Sequence, residues 1–391
     1  MPARTPSPSP RSTAIRPLLL GAVLAFVALG APFAGDEPLD LKKLFDDGIP
    51  RSPFAAVVYG YADAMIAPRD PRPLVCESPL SDQNVLSLLV FLRGLSGDEK
   101  YSTAADTALR ELLASPPPRL ERRPWMLQER CFELDAPAAL AFAQALCAGR
   151  SGDAVGDADA RRDGFFLRAM AGAYARAGAD GFRVAVESVL ERWEDPARRA
   201  ESDTAGLLSL SIDADGAARR VGAPLRQRLR TLATRIDDAV TAELRGSRAS
   251  LWDPAGGRTR AALGAMCVSR YENTARVEYR ELVVEIADAY REALPADGMD
   301  ATPLTFGQLI TVELAAYRAT TRREYFDRAF ALGELALARF FDGSPLPRES
   351  LRSERRGNAT GGDTLVLALV DLHLLTMQIT AVRAPPNTLD R

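Results

Sequence analysis

The chain has a single histidine, His373, and only four cysteines, Cys76, Cys131, Cys147 and Cys267, in 391 residues. A zinc site built on clustered histidines is excluded by count, and no C-x-x-C spacing offers a zinc ribbon or a redox pair. A Ser-His-Asp triad requires His373 itself, which lies among Leu372, Leu374 and Leu375 in a helical pattern and reads as a buried structural ring. The cysteines allow three pairings but lie far apart, and Cys147 and Cys267 sit in apolar helical patterns as small hydrophobes. Acidic residues follow no calcium-loop spacing. No metal and no cofactor is expected.

Excess positive charge is also missing. The formal net charge is -3, and residues 1–34 hold Arg4, Arg11 and Arg16 with no acid, so the remainder carries -3 - 3 = -6. A nucleic-acid partner wants a basic surface, and none is expected here. Almost nothing alternates with the period of a strand. The composition, 47% apolar and 26% charged, supplies ample core for one large domain.

What is present is helix in pairs. In Thr305–Phe341, Phe306, Leu309, Ile310, Leu314 and Tyr317 recur at helical spacing, and Tyr325, Ala329, Leu332, Ala336 and Phe340 repeat this after a polar break. Thr321 and Glu324 in the break have the spacing of a capping box, as do Ser96 and Glu99 in an earlier copy. Further copies run through 173–185 and 271–283, at irregular intervals that suit divergent hairpins in one closed fold rather than a solenoid. Hairpins are expected at 82–115, 161–194, 203–245, 258–294 and 305–341. Pairing of 362–381 with 54–66 makes a sixth, with 136–148 left over and 122–135 irregular. The expected fold class is all-α, an (α/α)6 toroid with inner and outer helix rings.

The N-terminus reads as an export signal. Arg11 and Arg16 precede the apolar run Leu18 to Leu29, and Ala31-Pro32-Phe33-Ala34 supplies small residues before Gly35-Asp36-Glu37. Pro17 to Ala34 also reaches the minimum length of a membrane anchor. The expected layout is a signal or anchor at 1–34, a linker at 35–49, the toroid at 50–381 and a disordered tail at 382–391. Export to the periplasm or exterior follows, with membrane contact only through residues 17–34.

Three segments carry a family resemblance: Leu86 to Leu113 with its F-L-x-x-L-S-G-D-E-K-Y core, Leu309 to Phe341, and Ser344-Pro345-Leu346-Pro347 to Gly361-Gly362-Asp363-Thr364-Leu365. Across about 50–381 the chain resembles secreted bacterial proteins of the six-hairpin glycosidase and α/α-toroid polysaccharide lyase superfamily. The resemblance implies a carbohydrate ligand, polysaccharide or oligosaccharide, in a cleft at one mouth of the ring. It also implies an aromatic-acid-histidine cluster on a loop, and here Arg130 stands where a histidine is expected.

In that layout the inner helices start at one mouth, and their starts are polar: Asp82, Asn84, Arg162, Asp163, Asp203, Thr259, Thr302 and Asp363. Such residues serve as N-caps, and Asp203 and Asp363 read foremost as caps. Converging helix N-termini also favour anionic ligands such as uronates. Trp125, Glu129 and Arg130, on a segment read as non-helical, offer a stacking surface, a carboxylate and a cation. A lyase would use Tyr271 as base with Arg270 or Asn84 neutralising a uronate. A hydrolase needs two carboxylates roughly 5–10 Å apart, drawn from Glu77, Asp82, Glu129 and Asp163. Trp252, and the late loop with Arg352, Glu354 and Arg355, are further candidate sugar contacts. The expected function is a polysaccharide lyase or glycoside hydrolase relative acting on an acidic polysaccharide, or a non-catalytic glycan- or protein-binding scaffold on the same ring.

Overall fold

Two kinds of helix are written into the chain. Segments such as Gly362–Thr376 (GDTLVLALVDLHLLT) are apolar on every face, whereas Leu225–Arg245 (LRQRLRTLATRIDDAVTAELR) confines Leu229, Leu232, Ala233, Ile236, Val240 and Leu244 to one stripe. A helix that is apolar all round must be enclosed, and an amphipathic one covers it from outside. The computed structural model describes residues 52–67, 83–114, 127–150, 160–247, 249–252, 258–292, 299–380 and 382–385, all within the unit Asp40–Arg391. Among these residues are fifteen α-helices, a π-helical turn and no strand beyond an isolated bridge between Arg348 and Arg356.

Six helices form the inner ring: α2 (Gln83–Ser96), α6 (Ala160–Ala177), α9 (Thr204–Ala218), α11 (Arg260–Thr274), α13 (Pro303–Thr320) and α15 (Gly362–Thr376). Each pairs with an outer helix: α3 (Glu99–Ala114), α7 (Asp180–Glu194), α10 (Leu225–Arg245), α12 (Val277–Ala289) and α14 (Arg323–Ala336), while α1 (Ala55–Ile66) covers α15. Inner neighbours touch in the order α2, α15, α13, α11, α9, α6. Between α6 and α2 the ring closes through α4 (Gln128–Leu134) and α5 (Ala136–Arg150), which pack on α6 and on α3. The fold is thus the expected six-hairpin helical ring. Two details differ from expectation: 128–134 is helical rather than irregular, and 136–150 is a structural wedge rather than a spare helix.

Gly172 admits that wedge, because a Cβ on it would occupy the space taken by the Gln128 side chain. Gln128 Nε2 donates to the Ala169 carbonyl across the same contact at 3.0 Å. Inner helices approach one another as closely at Gly307, where a Cβ would lie 2.7 Å from Leu365 N in the α15 backbone.

The ends of the elements were only partly legible. Thr321 is not the N-cap of α14 but the C-cap of α13, in the left-handed conformation at φ 59, and Arg322 is the N-cap of α14 without a side-chain bond. The Ser96–Glu99 box is likewise unmade, since Asp98 Oδ1 accepts from Lys100 N while Glu99 pairs with Arg93. α7 ends at Glu194, and Pro196 starts the short α8 (Pro196–Ala200), capped by Asp195, because proline fits the first helical turn where no N–H is needed. Past α15, Val382 and Ala384 pack against the core and Arg383 pairs with Glu272.

No described helix is long and apolar enough to cross a membrane. The leader at 1–34 and the linker at 35–49 lie outside the described residues.

Candidate functional site

Because every inner helix runs the same way, the ring has an N-terminal and a C-terminal mouth with opposite chemistry. At the N-terminal mouth Asn84 Nδ2 of α2 donates to Asp363 Oδ2 of α15 at 2.6 Å. Asn358 Oδ1 accepts from the Asp363 backbone N at 2.5 Å and from the Tyr61 hydroxyl of α1 at 2.9 Å. Gln83, Asn84, Thr305, Gln308, Asp363 and Thr364 are all buried here. Asp203 caps α9 through Gly206 N, and Thr259 and Thr302 cap α11 and α13. Asp363 departs from its expected role: it lies inside the first turn of α15, whose N-cap is Gly361.

Asp163 belongs to the same mouth but faces the protein. Its Oδ2 accepts from Trp193 Nε1 at 2.6 Å and from Arg192 Nη1 at 3.0 Å, both on α7, and only 1% of its surface is exposed. Asp163 therefore holds an inner helix to its outer partner. Trp252 is likewise enclosed. It is 4% exposed, with its ring 5.4 Å from Tyr290 and 5.4 Å from Phe306, so it packs as a core aromatic. Arg162 is half-buried in the first turn of α6 and Arg352 is exposed beside the start of α13, where its N–H donates to Asp300.

The C-terminal mouth is an arginine belt. Arg176, Arg219, Arg270 and Arg318 lie in or next to the last turns of inner helices, where cations meet the negative end of the helix dipole. Glu129 lies here, in helix α4 rather than on a non-helical loop. Arg176 Nε donates to its Oε2 at 2.7 Å, and Arg220 Nη1 lies 3.8 Å from Oε1. Burial pulls the Arg220 pKa down against the attraction of Glu129. Arg130 points to the outer ring, its Nη2 on Asp106 Oδ2 at 2.6 Å, and this hydrogen bond raises its pKa. The expected Trp125–Glu129–Arg130 constellation is thus not formed by the two members the structure describes, since they face different partners. Trp125, Glu77 and Asp82 lie outside the described residues.

Arg270, 2% exposed, forms an ion pair with Asp237, Nε to Oδ1 at 3.1 Å and Nη2 to Oδ2 at 2.6 Å. Tyr279 donates to the same Oδ1 at 2.6 Å, and burial together with Asp237 raises its pKa strongly. Its neighbour Tyr271, the expected base, is only half-buried, and its backbone carbonyl accepts the N–H that ends α11. Arg270 is held by Asp237 through Nε and Nη2, and among the described residues no hydrogen bond joins it to the Tyr271 side chain. Beside it opens a cavity of about 780 Å³ between the ends of α9 and α11, the body of α10 and the start of α12. Reading the sequence missed Asp237, yet the signal was there: it falls inside the apolar stripe of α10, where a lone acid implies a buried partner. Asp213, paired with Arg168, and Glu313, paired with Arg328, interrupt inner-helix apolar runs in the same way.

His373 is 6% exposed within α15, and burial lowers its pKa, which keeps the ring neutral. Burial pushes the Cys131 and Cys267 thiols up to about 12. Among the described residues no group of acids, cysteines and histidine could hold a metal ion.

Neither a protein-family model nor a curated protein sequence matches the chain. Among solved structures, the crystal structure of a D-mannose isomerase is similar, at 12% identity and a TM-score of 0.49, covering 87% of this chain and 100% of that one.

Proposed function

We propose that this is an exported protein that binds an acidic polysaccharide at the N-terminal mouth of its helical ring, as a non-catalytic scaffold of the cell envelope. The observation that carries the reading is the buried polar lining of that mouth, where Asn84, Gln308, Thr305, Asp363 and Thr364 occupy positions that apolar side chains fill further down the same helices. Burying amides, hydroxyls and a carboxylate costs free energy unless each is hydrogen-bonded. Retaining them together where helix N–H groups converge suits a ligand rich in hydroxyls and carboxylates. Binding is favoured over cleavage because Glu129 and Asp163, the described candidates for acid and base, are both held in ion pairs with arginine. Export is supported by the basic, apolar and small-residue order of residues 1–34.

The test is a panel of pectate, alginate, heparin and chondroitin, read by affinity electrophoresis and by release of unsaturated product and reducing ends. Retardation by at least one polymer without product is expected. Product formation would establish the alternative, a polysaccharide lyase or glycoside hydrolase, and failure to interact with any polymer would remove the carbohydrate reading.

A further inference from the structure

The cavity at the C-terminal mouth lies at the far end of the inner helices from the proposed polysaccharide site, and its side chains can be sorted by what they are already bonded to. Its four carboxylates each have a guanidinium partner. Asp237 holds Arg270, Asp215 holds Arg219 at 2.9 Å, and Asp238 and Glu278 hold Arg276 at 2.7 and 3.5 Å. The donors are not all used. Arg230, exposed on α10, lines the cavity and makes no ion pair or hydrogen bond among the described residues. Arg270 Nη1 is buried without a hydrogen-bond partner, with Asp215 Oδ2 3.8 Å away.

A buried donor without an acceptor costs about 1–3 kcal/mol, so the wall is short of oxygen acceptors on the arginine side. Asn273 has the complementary surplus. Its Nδ2 is spent on the Ser269 carbonyl at 2.7 Å, which leaves Oδ1 to accept. Only Ala233 among the lining residues is apolar, so nothing here stacks on or shields an apolar ligand. With four arginines against three aspartates and one glutamate the lining is formally neutral, and a bare anion gains little from the overall field.

We propose that this cavity is a second binding site, for a small hydroxylated carboxylate such as a free hexuronate. Its carboxylate supplies acceptors to Arg230 and Arg270 Nη1, and its hydroxyls donate to Asn273 Oδ1 and the rim of Asp238. The volume suits a monosaccharide with its hydration water, within the range of small-molecule sites.

The probes are glucuronate, glucose and inorganic phosphate, titrated calorimetrically into the full chain and into Arg230→Ala and Arg230→Lys. Because Arg230 is exposed and unpaired, both variants should keep the wild-type melting temperature. Saturable glucuronate binding is expected, weakened at least tenfold in Arg230→Ala and partly restored in Arg230→Lys, with glucose and phosphate each at least tenfold weaker. Glucose binding as tightly as glucuronate, phosphate binding as tightly, an unaltered Arg230→Ala, or no glucuronate binding would each overturn the assignment. Retardation by polysaccharides should be unchanged in Arg230→Ala, so the outcome here is separable from that at the N-terminal mouth.

Discussion

Gly307 is the most exacting test of how the inner ring is held. A Cβ there would lie 2.7 Å from Leu365 N and 2.8 Å from both Leu365 Cα and Thr364 C, all backbone atoms of α15. Ordinary van der Waals contact begins at 3.4 Å, so α13 and α15 must separate by 3.4 - 2.7 = 0.7 Å. No side chain can rotate to make that room. α13 is also packed against α11, α12 and α14, so relief on one side creates strain on another. Overpacking of this kind costs about 1–3 kcal/mol, offset by the roughly 1 kcal/mol that alanine gains over glycine inside a helix. Gly307→Ala should therefore lose up to about 2 kcal/mol net. Gly94 of α2 is the control, since its Cβ would meet nothing within 4 Å and Gly94→Ala should gain up to about 1 kcal/mol. Urea denaturation, compared at unchanged slope, measures both. If the two substitutions shift the midpoint in the same direction, backbone-to-backbone contact at Gly307 is not what spaces these helices.

Three further outcomes follow from the same packing. Trp252→Ala should destabilise by about 3–5 kcal/mol, as loss of a core tryptophan does, and leave polysaccharide retardation unchanged once folding is restored by lower temperature; weaker retardation in a folded variant would return Trp252 to the ligand. Burial pushes Glu313 up to about 7 from 4.5 against the pull of Arg328. Between those values the folded state holds a proton that the unfolded state lacks, so this contribution is complete below pH about 4.5 and is lost as pH rises through about 7, amounting to about 3 kcal/mol. Wild type minus Glu313→Gln, followed by denaturation from pH 4.5 to 7.5, should show that slope, and parallel curves would mean that Arg328 keeps the carboxylate ionised throughout. Asp237→Asn should cost about 3–5 kcal/mol by leaving Arg270 buried without its counter-charge; a loss under 1 kcal/mol by thermal or chemical denaturation would show that the pair is dispensable.

The hairpins were legible because burial writes its period into sequence. Leu229, Leu232, Ile236 and Val240 mark one face of α10, whereas α15 is apolar all round, and that contrast distinguishes an outer helix from an inner one before any coordinates exist. Caps were less legible, since Thr321 and Glu324 have the right spacing but the chain there enters the left-handed region instead. The candidate sites were least legible. Trp252, Asp163 and Arg270 are residue types used in carbohydrate sites and in cores alike, and only their partners, Phe306, Trp193 and Asp237, show which use is made of them.

By itself the sequence determined an all-helical, hairpin-built chain with a polar start to each inner helix and no histidine or cysteine cluster for a metal, because these follow from residue type and short-range spacing. The tertiary structure decided that Glu129 belongs to the C-terminal mouth and Asn84 to the other, that residues 128–150 wedge the ring shut, and that Arg230 alone among the cavity arginines has no counter-charge among the described residues. Those facts depend on which helices meet, and a contact between residues as far apart as Asn84 and Asp363 is set by the closure of the whole ring rather than by any local pattern.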